Sequence, residues 1–269
     1  MLLLVVAILP VILIGLYLYK KDKNKEPTSL LIKLFFSGVG STILVIIISL
    51  ILYIIFPFFN KEIKELSLIQ LIPHVFIGVS LIEESCKWIF IYKISYNNKE
   101  FDEFYDIILY SSFVALGFAC FENIFYVLEN GFGNAILRAL TAVPGHVFFG
   151  IFMGYYMGVA KLNSLNNREN QSKKNLIISL IIPIIIHGIY DYLLFACVIY
   201  PSWLFIIGWL VLVIFMYVFS LKKIKMISNL NSNFRTYNLN NDYCTNCGYK
   251  IDGNYCSNCG KSKYKESFY

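Results

Sequence analysis

Residues 68–92, LIQLIPHVFIGVSLIEESCKWIFIY, decide what kind of fold this chain can have. As a helix rising 1.5 Å per residue, the run is longer than the roughly 30 Å hydrocarbon core of a bilayer. Yet it carries Glu83, Glu84 and Lys87 within an otherwise apolar run. The surrounding chain has the same greasy character. Of its 269 residues, 58% are hydrophobic and 15% charged, with mean hydropathy +0.63, which excludes an ordinary soluble domain. The apolar runs are continuous, not ten-residue segments of alternating character, which argues for helices over a β-barrel.

The pattern predicts an all-α polytopic membrane protein with about seven transmembrane helices, near 1–19, 29–56, 68–92, 104–128, 136–161, 175–197 and 202–221. The least marked division is the last, where Pro201 interrupts an uncharged apolar stretch. Met1–Tyr19 lacks the basic start and small-residue cleavage site of a signal peptide and reads as a retained helix. The net charge of +6 comes from cations in loops and tail. That is a membrane-orientation pattern, and no nucleic-acid partner is expected. The first loop carries four lysines; the third holds Lys93 and Lys99; the fifth holds Lys161, Arg168, Lys173 and Lys174; the tail opens with Lys222, Lys223 and Lys225. These regions are expected in the cytoplasm, with the N-terminus outside the cell membrane.

The chain divides into a membrane domain over 1–224, a polar linker over 225–240, a small domain over 241–263 and a tail over 264–269. The small domain, with Cys244-x-x-Cys247 and Cys256-x-x-Cys259, each pair followed by Gly, has the spacing of a four-cysteine zinc ribbon. A reducing cytoplasm disfavours disulfides. Four thiolates close the coordination shell, so this zinc is structural, and so small a module needs its metal to fold. A cytoplasmic protein partner is a natural role for it. Cys86, Cys120 and Cys197 lack such spacing and read as small buried hydrophobes.

A charged group at the centre of a membrane helix costs about 2.5–3.5 kcal/mol. Glu83, Glu84, Lys87, Glu122 and Asp191 would together cost roughly 10 kcal/mol or more if unpaired. Glu83 and Lys87 are four apart and can pair on one helix face, which leaves Glu84 over. Neighbouring spans add Glu122 with Asn123, His146, and His187 one turn before Asp191. Counted from the outer helix ends, His146 and His187 lie about 15 Å deep, Glu122 and Asp191 about 9 Å, and Glu84 about 17–23 Å. These depths allow one cluster. Two imidazoles and several carboxylates suit water activation: a carboxylate as general base, and histidines to bind a metal or hold an oxyanion. Asp191 could orient His187. Glu84 is preferred as base, because Glu83 has the better spacing to Lys87. No H-E-x-x-H, G-x-S-x-G or G-x-G-D motif is present.

In order, Glu83-Glu84-x-x-Lys87, Phe118-x-x-x-Glu122-Asn123, Pro144-x-His146 and His187-x-x-x-Asp191 resemble the PrsW family of intramembrane proteases. That family is distantly related to the CAAX prenyl endopeptidases and bacteriocin-immunity membrane proteins. The resemblance spans roughly residues 28–220. It implies an endopeptidase that cuts a membrane-anchored, anti-sigma-factor-like single-span protein near the outer surface. The family is classed with metalloproteases, although its relatives are argued to use glutamate without a catalytic metal. By this resemblance Glu83 and Glu84 are the catalytic glutamate pair. Glu122, His146, His187 and Asp191 are the other polar positions, with Lys87 and Asn123 in support. His146, His187 and Glu122 are the candidate ligands of a membrane-site metal. Many members have glycines where this chain has Ile107 and Ser111, and the zinc knuckles lie outside the shared region.

Two other readings stay open on the sequence. A transporter or immunity-type binding protein would also bury Glu, His and Asp, although no internal repeat with broken helices is visible. Alternatively the polar set is structural and the tail carries the function.

Overall fold

The structure is a computed structural model that describes residues 2–228 and, nearer the C-terminus, 244, 249 and 256–259. The rest of the expected linker and ribbon, including Cys247, and the tail at 264–269 lie outside the described residues. Among the described residues the regular elements are all helical. They are α1 (Leu2–Lys21), α2 (Thr28–Ile55), α3 (Leu68–Val75), α4 (Ile82–Ile91), α5 (Phe104–Leu140), α6 (Ala142–Leu165), α7 (Glu169–Ile199) and α8 (Trp203–Ser228). A π turn, Phe76–Leu81, joins α3 to α4, and another, Tyr92–Tyr96, follows α4, so Leu68–Tyr96 forms a single crossing. Tyr200–Ser202, with Pro201, separates α7 from α8. Helix α8 runs through Ser228, so the first residues assigned to the linker are helical.

Phe104–Leu165 is apolar helix interrupted by a kink at Gly131 and a break at Thr141. Its 62 residues are far too long for one crossing and fold back as a hairpin. A Cβ on Gly150 would lie 2.9 Å from the Ser111 carbonyl oxygen, and one on Gly154 2.7 Å from that of Ile107. Gly158 faces the ring of Phe104 in the same way. The partner falls as the glycine rises, so the helices are antiparallel. The glycines of this interface sit on α6, opposite Ile107 and Ser111 on α5. The hairpin is the centre of the bundle: 89% of its most apolar window is buried, against 17% in α1, α2 and α8, whose isoleucines and leucines face outward.

Two faces result. On the loop face, Asp22 and Glu26 from the α1–α2 loop meet Glu103, Asp106 and Tyr110 of the α5 start. Tyr110 donates to Glu26, Asn24 donates to Glu103, and the Glu26 amide donates to Asp22 at 3.1 Å. On the opposite, turn face, short 3-10 turns at Pro57–Asn60 and Ile63–Glu65 lead to Ser67, which caps α3 through a reciprocal pair of bonds with Gln70.

Candidate active site

The π turn before α4 widens the helix just ahead of the glutamate pair, a device common at functional sites. Gly78 in that turn lets the ring of Phe59 approach. Beyond it, Glu83, Glu84 and Lys87 are all buried. The Lys87 ammonium is the hub. It donates to Glu84 Oε1 at 2.8 Å and to Glu83 Oε2 at 3.3 Å. It also lies 3.1 Å from His146 Nδ1 and 3.8 Å from the centroid of the Phe118 ring. An ammonium has three N–H groups and accepts nothing, so all three are used here. His146 Nδ1 is therefore the acceptor, and its Nε2–H is left to donate to Glu122 Oε2 at 2.7 Å.

His187 faces carboxylates on both sides: Glu84 Oε1 at 2.9 Å from Nδ1, and Asp191 Oδ2 at 3.3 Å from Nε2. Phe149 stacks on its ring with centroids 4.6 Å apart, and the two histidine rings lie 5.7 Å apart. Every polar residue singled out in the membrane segments is thus brought into one connected group. Asn123 is tied to it through Arg138, which bonds both Asn123 and Glu122, and Asn123 itself donates to the Ala7 carbonyl at 2.8 Å.

A cavity of about 320 Å³ opens on this group, lined by Glu83, Glu122, His146, His187 and Asp191. Glu84 does not line it. That glutamate is fully enclosed, with Oε1 shared between Lys87 and His187, and with Oε2 buried and unbonded. The pairing argument that favoured Glu84 as base is therefore reversed. Lys87 holds Glu84 more closely than Glu83, and Glu83 is the carboxylate facing the cavity.

Arg138 has the look of a mere loop charge in the sequence, yet it lines the cavity. It donates from Nη2 to Glu122 Oε2 and from Nε to Asn123 Oδ1, both at 2.9 Å, and lies over the Tyr126 ring. A left-handed backbone at Gly131, φ +78°, breaks α5 and turns its last segment back over the site. The glycines flanking Phe132 are the signal that could have revealed this. His74 is the second residue missed; it also lines the cavity.

In the membrane region, the His, Asp and Glu donors that converge within 4.8 Å of one another are Glu83, Glu84 and His146, a different set from His146, His187 and Glu122. All three already point at the Lys87 ammonium. A divalent ion bound by them would sit about 3 Å or less from a fixed positive charge, a repulsion of about 10 kcal/mol even at an effective dielectric constant of about 20. The membrane site does not fit a metal while Lys87 is in place. In the tail, by contrast, the sulfurs of Cys244, Cys256 and Cys259 lie within 4.8 Å of one another, and the Cys244 amide donates to the Tyr249 carbonyl at 2.7 Å. Cys86 and Cys120 are buried and Cys197 is half-buried.

Known proteins share this arrangement of sequence. The profile of the PrsW family of intramembrane metalloproteases matches residues 26–221. A protein named Protease PrsW from Oceanobacillus iheyensis is 39% identical over 187 residues, covering 70% of this chain and 80% of its own. Its namesake in Bacillus subtilis is 32% identical over 216 residues, 80% of this chain and 90% of its own. The Clostridioides difficile protein of that name is 32% identical over 197 residues, 71% and 79% respectively. No solved structure matches. With the profile covering most of the chain and these relatives matched along most of their length, the chain belongs to the PrsW family of intramembrane proteases.

Proposed function

We propose that this intramembrane peptidase cuts a single-span membrane protein of the anti-sigma-factor kind at the Glu83 cavity, with water activated by glutamate. One observation carries the reading: ionisable side chains from four crossings line one cavity inside an otherwise apolar bundle. Glu83 accepts a proton from water as the oxygen attacks the peptide carbonyl carbon. The C–N bond then breaks, and the proton passes from Glu83 to the leaving nitrogen. His187 supplies the oxyanion donor. Its 3.3 Å contact with Asp191 is longer than its 2.9 Å contact with Glu84, and it is the one a carbonyl oxygen can take over. Lys87 holds Glu84 and His146 in place, and Glu122 with Arg138 sets the His146 tautomer. No step is assigned to a membrane-site metal.

The lysine-bearing loops share one face of the bundle, as the Asn24–Glu103 bond and the Lys161 bond to the Tyr96 carbonyl support. By the excess of cations we place that face in the cytoplasm and the N-terminus outside. The tail would then hold one structural zinc through Cys244, Cys247, Cys256 and Cys259, presented to a cytoplasmic protein partner.

The test is cleavage of a panel of single-span proteins reconstituted with the full-length enzyme. Glu83→Gln is expected to lower the rate about 100- to 10,000-fold, the usual worth of a general base, while the protein still inserts and folds. Undiminished cleavage by Glu83→Gln would remove the proposed mechanism.

A further inference from the structure

We propose that a groove on the turn face, continuous with the catalytic cavity, binds the unwound stretch of substrate flanking the cleaved bond, and that His74 holds its backbone. This rests on the protease reading above. The groove is a shallow, open depression of about 510 Å³ between the end of α2, the 3-10 turns and the end of α7, with Tyr53, Phe59, Lys61, Lys64 and Val198 among its walls. Ile63, His74 and Phe195 line both the groove and the cavity, so the two meet there.

His74 stands at that junction and is only 8% exposed, and its Nδ1 has no hydrogen-bond partner. Its ring neighbours, Phe58 and Phe59, have centroids 6.4 and 6.3 Å away and offer it nothing polar. A histidine retained for packing alone would normally be paired when buried this deeply. A peptide group entering at this junction would satisfy it once the Phe58 and Phe59 rings beside it give way. The occupant must be extended, because a helical segment keeps its own N–H groups bonded internally. His74 precedes Glu83 by nine residues along one crossing, about 13 Å at helical rise. An extended chain covers that in about four residues. The groove's Lys61 and Lys64 outnumber its single acid, Glu62, which favours an acidic flank over a basic one.

The test uses full-length enzyme and the same single-span panel, with the flank on the turn-face side made neutral, acidic or basic. His74→Phe keeps the ring volume and removes the nitrogen; His74→Asn restores a polar group where Nδ1 stands. The expected result for His74→Phe is a KM raised roughly three- to tenfold with kcat little changed, the size of one lost neutral hydrogen bond. His74→Asn should recover part of the lost affinity. The acidic flank should have the lowest KM, an order that Lys61→Glu with Lys64→Glu reverses. A KM unmoved by His74→Phe, a loss confined to kcat, or no dependence on flank charge overturns the proposal. Should His74→Phe fail to fold, His74→Cys in the Glu83→Gln background decides: with an added mild oxidant to take up the two electrons, a disulfide should form with a substrate cysteine about four residues from the cleaved bond, and one formed only elsewhere, or none, overturns the assignment. If the unmodified enzyme cuts none of the panel, the protease reading itself falls and the groove with it. Cleavage without a His74 effect rejects the groove alone.

Discussion

Glu122 Oε2 takes hydrogen bonds from two directions, His146 Nε2 at 2.7 Å and Arg138 Nη2 at 2.9 Å. Arg138 positions a group that positions a histidine. Without it the carboxylate keeps only the imidazole and can swing, and the ring follows. Arg138→Ala is therefore expected to lower kcat roughly 10- to 100-fold, the usual cost of losing a supporting hydrogen-bond partner, with KM less affected. Arg138→Lys, which keeps the charge and loses the two-pronged reach to Glu122 and Asn123, should recover part of it. Steady-state kinetics on the reconstituted enzyme checks both; equal losses in the two variants would mean that the second contact, to Asn123, is what matters. Lys87 illustrates what spacing can and cannot reveal. Its pairing with Glu83 four residues away was readable from the sequence. The i+3 spacing to Glu84 was workable too, but that Glu84 would be held the more closely was not readable, nor was the contact with His146, which depends on how α4 and α6 pack.

Among the helices, the central interface is set by α6. Gly154→Ala would drive a methyl group into the Ile107 carbonyl and the Ser111 side chain. Backbone cannot yield as a flexible side chain does, so the variant should lose about 1–3 kcal/mol of stability, the range for overpacking a tight interface, and separate α5 from α6 near the cavity. Thermal unfolding in detergent measures it, and an unchanged midpoint would show that the hairpin is looser than its geometry. The crossings themselves were legible because apolar run length is a property of consecutive residues, and Pro201 marked even the division of α7 from α8. Less legible was whatever depends on a break in the helix. The Gly131 kink sends Arg138 back sixteen residues to Glu122, and the π turn rotates the glutamates after it. Depth counting put Glu122 and His146 several ångströms apart in level, a gap that the two side chains close by reaching toward each other.

For the whole protein, metal content separates the two ends of the chain. Three converging thiols in the tail suit zinc, while the membrane cluster already holds an ammonium where its donors converge. Purified full-length protein should carry one zinc and a form lacking residues 241–269 none, while the shortened form still cuts. Elemental analysis beside the cleavage assay reads this, and one metal remaining after truncation would show that Lys87 can be displaced.

The carboxyls gathered on the loop face set a different limit. Burial pushes Asp22 and Glu103 above their ordinary range and Glu26 up to about 7, with Asp22, Glu100 and Asp102 repelling its charge and the Tyr110 hydroxyl opposing the rise. Folded Glu26 keeps a proton that the unfolded chain gives up near 4.5, so its contribution to stability is full below that pH and is lost as pH climbs through about 7. Glu26→Gln should accordingly raise the unfolding midpoint at pH 8 and leave it unchanged at pH 4; a uniform shift would point to packing instead. The alkaline edge of this protease's working range would then be drawn by acids joining α1, α2 and α5 far from the scissile bond, so that mild alkali loosens the scaffold before it touches the chemistry.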